Sequence, residues 1–114
     1  MLNVAVVIFA IGALLGVSLA LHVLRGKFAP WALSLIHALV GATGLVLLVF
    51  AALRGTGGSL VVWSLAAFLV AALGGFYLAS LHFGERLPAK GVVVAHASLA
   101  VAGFALLLVA VLGG

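Results

Sequence analysis

The chain has 114 residues, 68% of them hydrophobic and only 5% charged, with a mean hydropathy of +1.59. A soluble domain of this size exposes too large a share of its surface to hide so much apolar area, so the composition excludes a water-soluble globule and points to lipid as the solvent. The absence of cysteine excludes disulfides and thiolate metal sites, and the net charge of +4 comes from five basic residues against one acid, Glu85.

Four apolar runs follow one another: Leu2 to Leu24, Trp31 to Leu53, Leu60 to Leu81 and Leu87 to Leu112. Each is near or above the roughly 20 residues that a helix needs to cross a hydrocarbon core of about 30 Å. None shows the alternation of a membrane β-barrel strand. The first run has no basic leading segment and no small-residue cleavage site, so it is expected to be a retained span rather than a signal peptide. The connections "RGKFAP", "RGTGGS" and "HFGERLP" hold nearly all the charge and both prolines. The expected fold is all-α: an integral membrane four-helix bundle with up-down topology, forming a single domain over residues 1–114. Basic residues in short connections are what the positive-inside rule anticipates, so the positive charge is not read as a nucleic-acid surface. Arg25, Lys27, Arg86 and Lys90 flank the first and third connections, whereas the second holds only Arg54. This count places the first and third connections in the cytoplasm and both termini outside, in what is expected to be a bacterial plasma membrane.

The chain also repeats. Residues 21–49 and 81–109 each carry "LH" at a helix end, basic residues, a proline, a second histidine, a glycine seven residues later, and a run of leucine and valine. His22 and His82 lie sixty residues apart and His37 and His96 fifty-nine, which reads as a one-residue deletion between them. The chain is therefore expected to be two tandem helical hairpins, 1–54 and 59–114, related by a pseudo-two-fold axis along the membrane normal.

At 1.5 Å per residue, His37 and His96 fall about 9–12 Å inside the membrane boundary, while His22 and His82 fall near it. Ser34, His37, Gly41 and Gly44 share one seam of the second helix, and His96, Ala100 and Gly103 repeat that spacing on the fourth. On the first helix Ser18 precedes His22 by one turn and Gly12 and Gly16 form a GxxxG pair; on the third, Gly75 lies two turns before His82. Polar side chains at membrane depth normally face a partner or a cavity, so the deep pair is the stronger site candidate. Two neutral imidazoles facing one another across a bundle suit bis-histidine ligation of one haem b. Gly41, Gly44 and Gly103 would let a porphyrin lie against the backbone, and Ser34, Ser98 or a backbone carbonyl would orient the far ring nitrogens. His22 and His82 are the second-choice ligands and otherwise take a supporting part: a hydrogen bond to the cofactor, proton delivery to a quinone, or interfacial anchoring.

In its transmembrane histidine pair, His37 and His96, with neighbouring glycines on the second and fourth helices, the chain resembles small membrane-embedded b-type cytochromes. It departs from the large respiratory and photosynthetic cytochromes b, which carry two histidines on each ligating helix for two stacked haems. The resemblance implies one-electron transfer as a carrier or complex subunit rather than a stand-alone enzyme. It also implies haem propionates directed toward Arg25, Lys27, Arg86 or Lys90, and a quinone, a larger redox complex or a second copy of the chain as partner.

Two other readings compete. All four histidines could converge on one zinc, copper or iron ion, although no carboxylate is at hand inside the membrane to neutralise it. The size and four spans also resemble the small multidrug resistance exporters, but those rely on a first-helix glutamate and residues 2–24 contain no carboxylate. A fluoride-channel-like pore would need a polar track that is missing, and an accessory subunit without cofactor is compatible with the GxxxG pair. Ser18, Ser34, Ser64, Ser80 and Ser98 have no acid to complete a triad and read as packing residues, while Trp31 and Trp63 read as interfacial anchors.

Overall fold

The computed structural model describes every residue from Met1 to Gly114 and contains four helices and no strand. These are α1 (Leu2–Leu24), α2 (Trp31–Leu53), α3 (Gly58–Phe83) and α4 (Lys90–Leu112). All four are long and apolar enough to span a membrane. The molecule measures 42 Å along its long axis, enough to clear the roughly 30 Å of hydrocarbon at both ends. Unsatisfied backbone groups are intolerable in lipid, and a helix satisfies its own, so continuous apolar runs of this length take no other form. The protein is an integral membrane four-helix bundle.

Each helix neighbours two others: α1 packs on α2 and α4, and α3 on α4 and α2, leaving α1/α3 and α2/α4 as diagonals. Packing is more intimate within the hairpins α1–α2 and α3–α4 than between them. The connections Arg25–Pro30 and Gly84–Ala89 lie at one end, here called the connection end; the termini and the segment 54–57 lie at the other.

The third helix is longer than its apolar run, taking in Gly58 and Ser59 at its start and His82 and Phe83 at its end. The fourth begins later, at Lys90, because Leu87 precedes Pro88 and is biased away from helix, and Ala89 keeps an extended backbone with φ −60 and ψ 137. Both connections close in the same way. The amide of Lys27 donates to the His22 carbonyl and that of Arg86 to the Leu81 carbonyl, each at 2.9 Å. The preceding residues, Gly26 at φ 75 and Glu85 at φ 55, both take the left-handed conformation.

Element bounds and buried residues of the two hairpins correspond at a constant spacing of fifty-nine residues. α1 maps onto the last 23 residues of α3 and α2 onto all of α4 with no deletion. His22 therefore corresponds to Leu81, and His82 to Val23; the shared "LH" is a match displaced by one residue. The core shows the true spacing. Its buried residues pair as Ala5 with Ser64, Phe9 with Phe68, Gly12 with Ala71, Gly44 with Gly103, Leu48 with Leu107 and Ala51 with Ala110. At the centre the rings of Phe9 and Phe68 stack face to face, centroids 3.9 Å apart and planes within 5°. Apart from Ala29, Val61 and Val93, every buried residue belongs to one of these pairs. Most of the pairs lie toward the terminal end, so the fully buried core is concentrated there.

Candidate functional site

The deep histidines come together. His37 on α2 and His96 on α4 meet across the bundle diagonal, ring centroids 6.4 Å apart and planes inclined by 75°. Each ring is tethered to the other helix of its own hairpin. His37 Nδ1–H donates to the Gly12 carbonyl of α1 at 3.0 Å, and His96 Nδ1–H donates to the Ala71 carbonyl of α3 at 2.7 Å. Gly12 and Ala71 are themselves repeat equivalents, so the two tethers are copies. A carbonyl can only accept, so each Nδ1 must carry the proton, and in the neutral ring the Nε2 lone pair is left free.

Two glycines make this approach feasible. A Cβ on Gly16 would lie 3.0 Å from His37 Cε1, and one on Gly75 would lie 3.2 Å from His96 Cε1. The GxxxG pair of α1 thus serves the seating of a histidine: Gly12 accepts its hydrogen bond and Gly16 clears its ring. Gly75 does the same for His96 and has no part in a seam with His82. Sequence spacing placed Gly75 on α3 but could not show that its partner sits on α4.

The glycines expected against a porphyrin are otherwise employed. A Cβ on Gly44 would come within 2.7 Å of the Phe9 ring, and one on Gly103 within 3.0 Å of the Phe68 ring. Both positions therefore accommodate the central phenyl stack. Gly41 has open space about it, with nothing within 4 Å of where its Cβ would stand.

The shallow histidines separate. His22 Nδ1–H donates to the Ser18 carbonyl of its own helix at 2.7 Å. His82 hydrogen-bonds Ser34 Oγ through Nδ1 at 3.0 Å, bridging α3 to α2. Its ring stacks on Trp31 at 4.1 Å and 6°, and lies nearly parallel to Phe28 at 5.8 Å. Ser34 thus holds the shallow histidine and leaves orientation of the deep pair to backbone carbonyls. Trp31 is both a residue at the expected membrane boundary and the platform under His82, a role that no spacing rule could have shown. Ser98 is exposed on α4. Arg25, Lys27, Arg86 and Lys90 are all exposed at the connection end, the end toward which the histidines lie.

No group of three or more histidine and carboxylate side chains assembles anywhere in the molecule. The four histidines do not converge on one point in this arrangement. What the arrangement offers chemically is two imidazole lone pairs in one apolar layer. Set beside known proteins, the chain matches no family model, no curated protein and no solved structure.

Proposed function

We propose that this protein is a membrane electron carrier that holds one b-type haem between α2 and α4 through His37 and His96. The observation that carries the reading is the donor set: two tethered imidazoles, each with Nε2 free, and no third ligand. A bare zinc ion takes four protein donors in a structural site and three in a catalytic one, so two imidazoles fall short. A haem brings four equatorial nitrogens of its own and asks the protein for two axial ligands. His37 and His96, with ring centres 6.4 Å apart, would be the two residues that hold such a group.

A porphyrin would need room beside the ligand pair. Support for this comes from the looser packing between hairpins than within them, since His37 and His96 lie on that inter-hairpin seam. The carbonyl tethers fix ring orientation and tautomer, the usual outer partner of a ligating histidine. Arg86 and Lys90 supply positive charge for carboxylates at that end of the bundle. When bound, the group supplies a one-electron couple that can be exchanged with a quinone or a larger redox complex. The excess of Lys and Arg in the first and third connections supports a cytoplasmic placement for them, with the termini outside, as in a bacterial plasma membrane.

The test is the absorption spectrum of the detergent-purified protein. Reduction with dithionite should produce sharp α and β bands. His37→Ala and His96→Ala should each abolish them, while His22→Ala and His82→Ala should keep them and mainly shift the midpoint potential. A colourless wild-type protein purified from haem-replete cells would overturn the proposal, as would bands that depend on the shallow pair and not the deep one.

A further inference from the structure

Beside the C-terminal end of α1 lies an open pocket of about 320 Å³ lined by Ser18, Leu21, His22, Arg25 and Lys27. Its electrostatics favour an anion. The end of a helix carries about half a negative charge on its free carbonyls. Here the amides of Arg25 and Lys27 both cap the His22 carbonyl and that of Gly26 caps Val23, and two full cations stand over the same turn. The chain's one acid, Glu85, belongs to the other connection. Because His22 Nδ1–H is committed to the Ser18 carbonyl, its Nε2 is left free.

The pocket breaks the two-fold symmetry of the molecule. The equivalents of Ser18, His22, Arg25 and Lys27 are Tyr77, Leu81, Gly84 and Arg86, so only one of the polar or basic groups is matched by a cation in the other hairpin. A feature built into one copy and absent from the other is not a by-product of the repeat.

The surroundings identify the source of the anion. Leu21, which lines the pocket, continues at helical spacing into Leu14, Ile11 and Val7 on the outer surface of α1, all four strongly exposed. This apolar track runs about 20 Å from Leu21 to Val7 at 1.5 Å per residue. The pocket thus opens where the apolar, lipid-facing surface of α1 meets the charged connection, the level at which a phospholipid headgroup lies. We infer that the Ser18–His22–Arg25–Lys27 pocket binds the phosphodiester headgroup of an anionic phospholipid, with an acyl chain lying along Leu21, Leu14 and Ile11. The inference stands independently of the haem reading, and leaves Arg86 and Lys90 as the free cations of the connection end.

The full-length protein, purified in detergent and titrated with phosphatidylglycerol or phosphatidylcholine under native mass spectrometry, tests this. Phosphatidylglycerol should bind more tightly. The double variant Arg25→Gln/Lys27→Gln should weaken that binding roughly thirtyfold, from two cations each worth about a fivefold factor at a membrane surface. Arg54→Gln, at the opposite end, should leave it unchanged. Folding of the variants is checked by helicity in phosphatidylcholine nanodiscs; should the double variant fail to fold, the single Lys27→Gln is expected to weaken binding about fivefold. Equal affinity for the two lipids would overturn the inference, as would an Arg86→Gln variant that loses as much affinity as the double variant, which would indicate a diffuse field. Competition by glycerol phosphate as strong as by the lipid itself would reassign the pocket to a soluble anion. None of these readouts depends on colour, so the lipid and haem proposals fail separately.

Discussion

Gly44 and Gly41 lie three residues apart on α2 and make opposite demands on a side chain. A methyl group at position 44 would stand 2.7 Å from the Phe9 ring, which cannot retreat because Phe68 is stacked on its other side. Gly44→Ala should therefore destabilise the protein by about 1–3 kcal/mol, the usual cost of overpacking, and Gly103→Ala should do the same from the other hairpin. Gly41→Ala meets nothing and should be neutral or stabilise by up to about 1 kcal/mol through helix propensity. Thermal unfolding in detergent, followed by circular dichroism, separates the three. The contrast also shows where residue-level reading from sequence stops. Seam spacing grouped Gly41 and Gly44 as equal members of one small-residue face. Which of them receives a ring, and whether that ring belongs to the protein or to a porphyrin, depends on how α2 is rotated against α1, and the sequence of α2 alone does not contain that rotation. Depth and seam did place His37 and His96 opposite each other, because both follow from residue count. The carbonyls of Gly12 and Ala71 that hold them were not legible, since every residue has a carbonyl.

At the scale of an element, the two connections solve one geometric problem with different residues. Each needs a left-handed residue straight after the helix ends; one uses Gly26 and the other Glu85. For a residue bearing a Cβ that conformation costs about 1–2 kcal/mol, partly offset by the smaller chain entropy lost relative to glycine. Gly26→Ala should then destabilise the protein by about 1 kcal/mol, and Glu85→Gly should stabilise it by up to about the same amount, both read as shifts in thermal midpoint. The helix boundaries themselves were largely readable. α1 ends, and α2 begins and ends, where their apolar runs do, because charge and proline cut them off sharply. α3 overran its run at both ends, since backbone hydrogen bonding extends a helix through Ser59 and His82 whatever their polarity. The displaced "LH" match misled for a related reason: leucine is so common in this chain that one histidine beside it aligns almost anywhere.

For the whole molecule, the packing hierarchy matters most. Helices pair more intimately within hairpins than between them, and the segment 54–57 that links the hairpins lies at the terminal end, remote from the histidine layer. Cutting the chain there should leave two pieces that still assemble. Residues 1–55 and 56–114, co-expressed with a tag on only one, should co-purify in mild detergent, because Phe9, Phe68, Leu48 and Leu107 still form a shared core. Recovery of the tagged piece alone would show that the covalent link is needed for the hairpins to find each other.

The constant spacing of fifty-nine residues has one more consequence, and it concerns parity. A unit of two helices returns the chain to the face of the membrane from which it set out. A tandem copy therefore inserts in the same sense as the original with no change to its charged residues, whereas a three-helix unit would have to reverse its Lys and Arg bias to do so. Freed from that constraint, the two halves can drift apart one position at a time while the shared core persists. Ala5 and Ser64 show the drift under way: from one place in the pattern, the serine hydroxyl donates to the Gly103 carbonyl at 2.7 Å, and the alanine makes no such bond to Gly44.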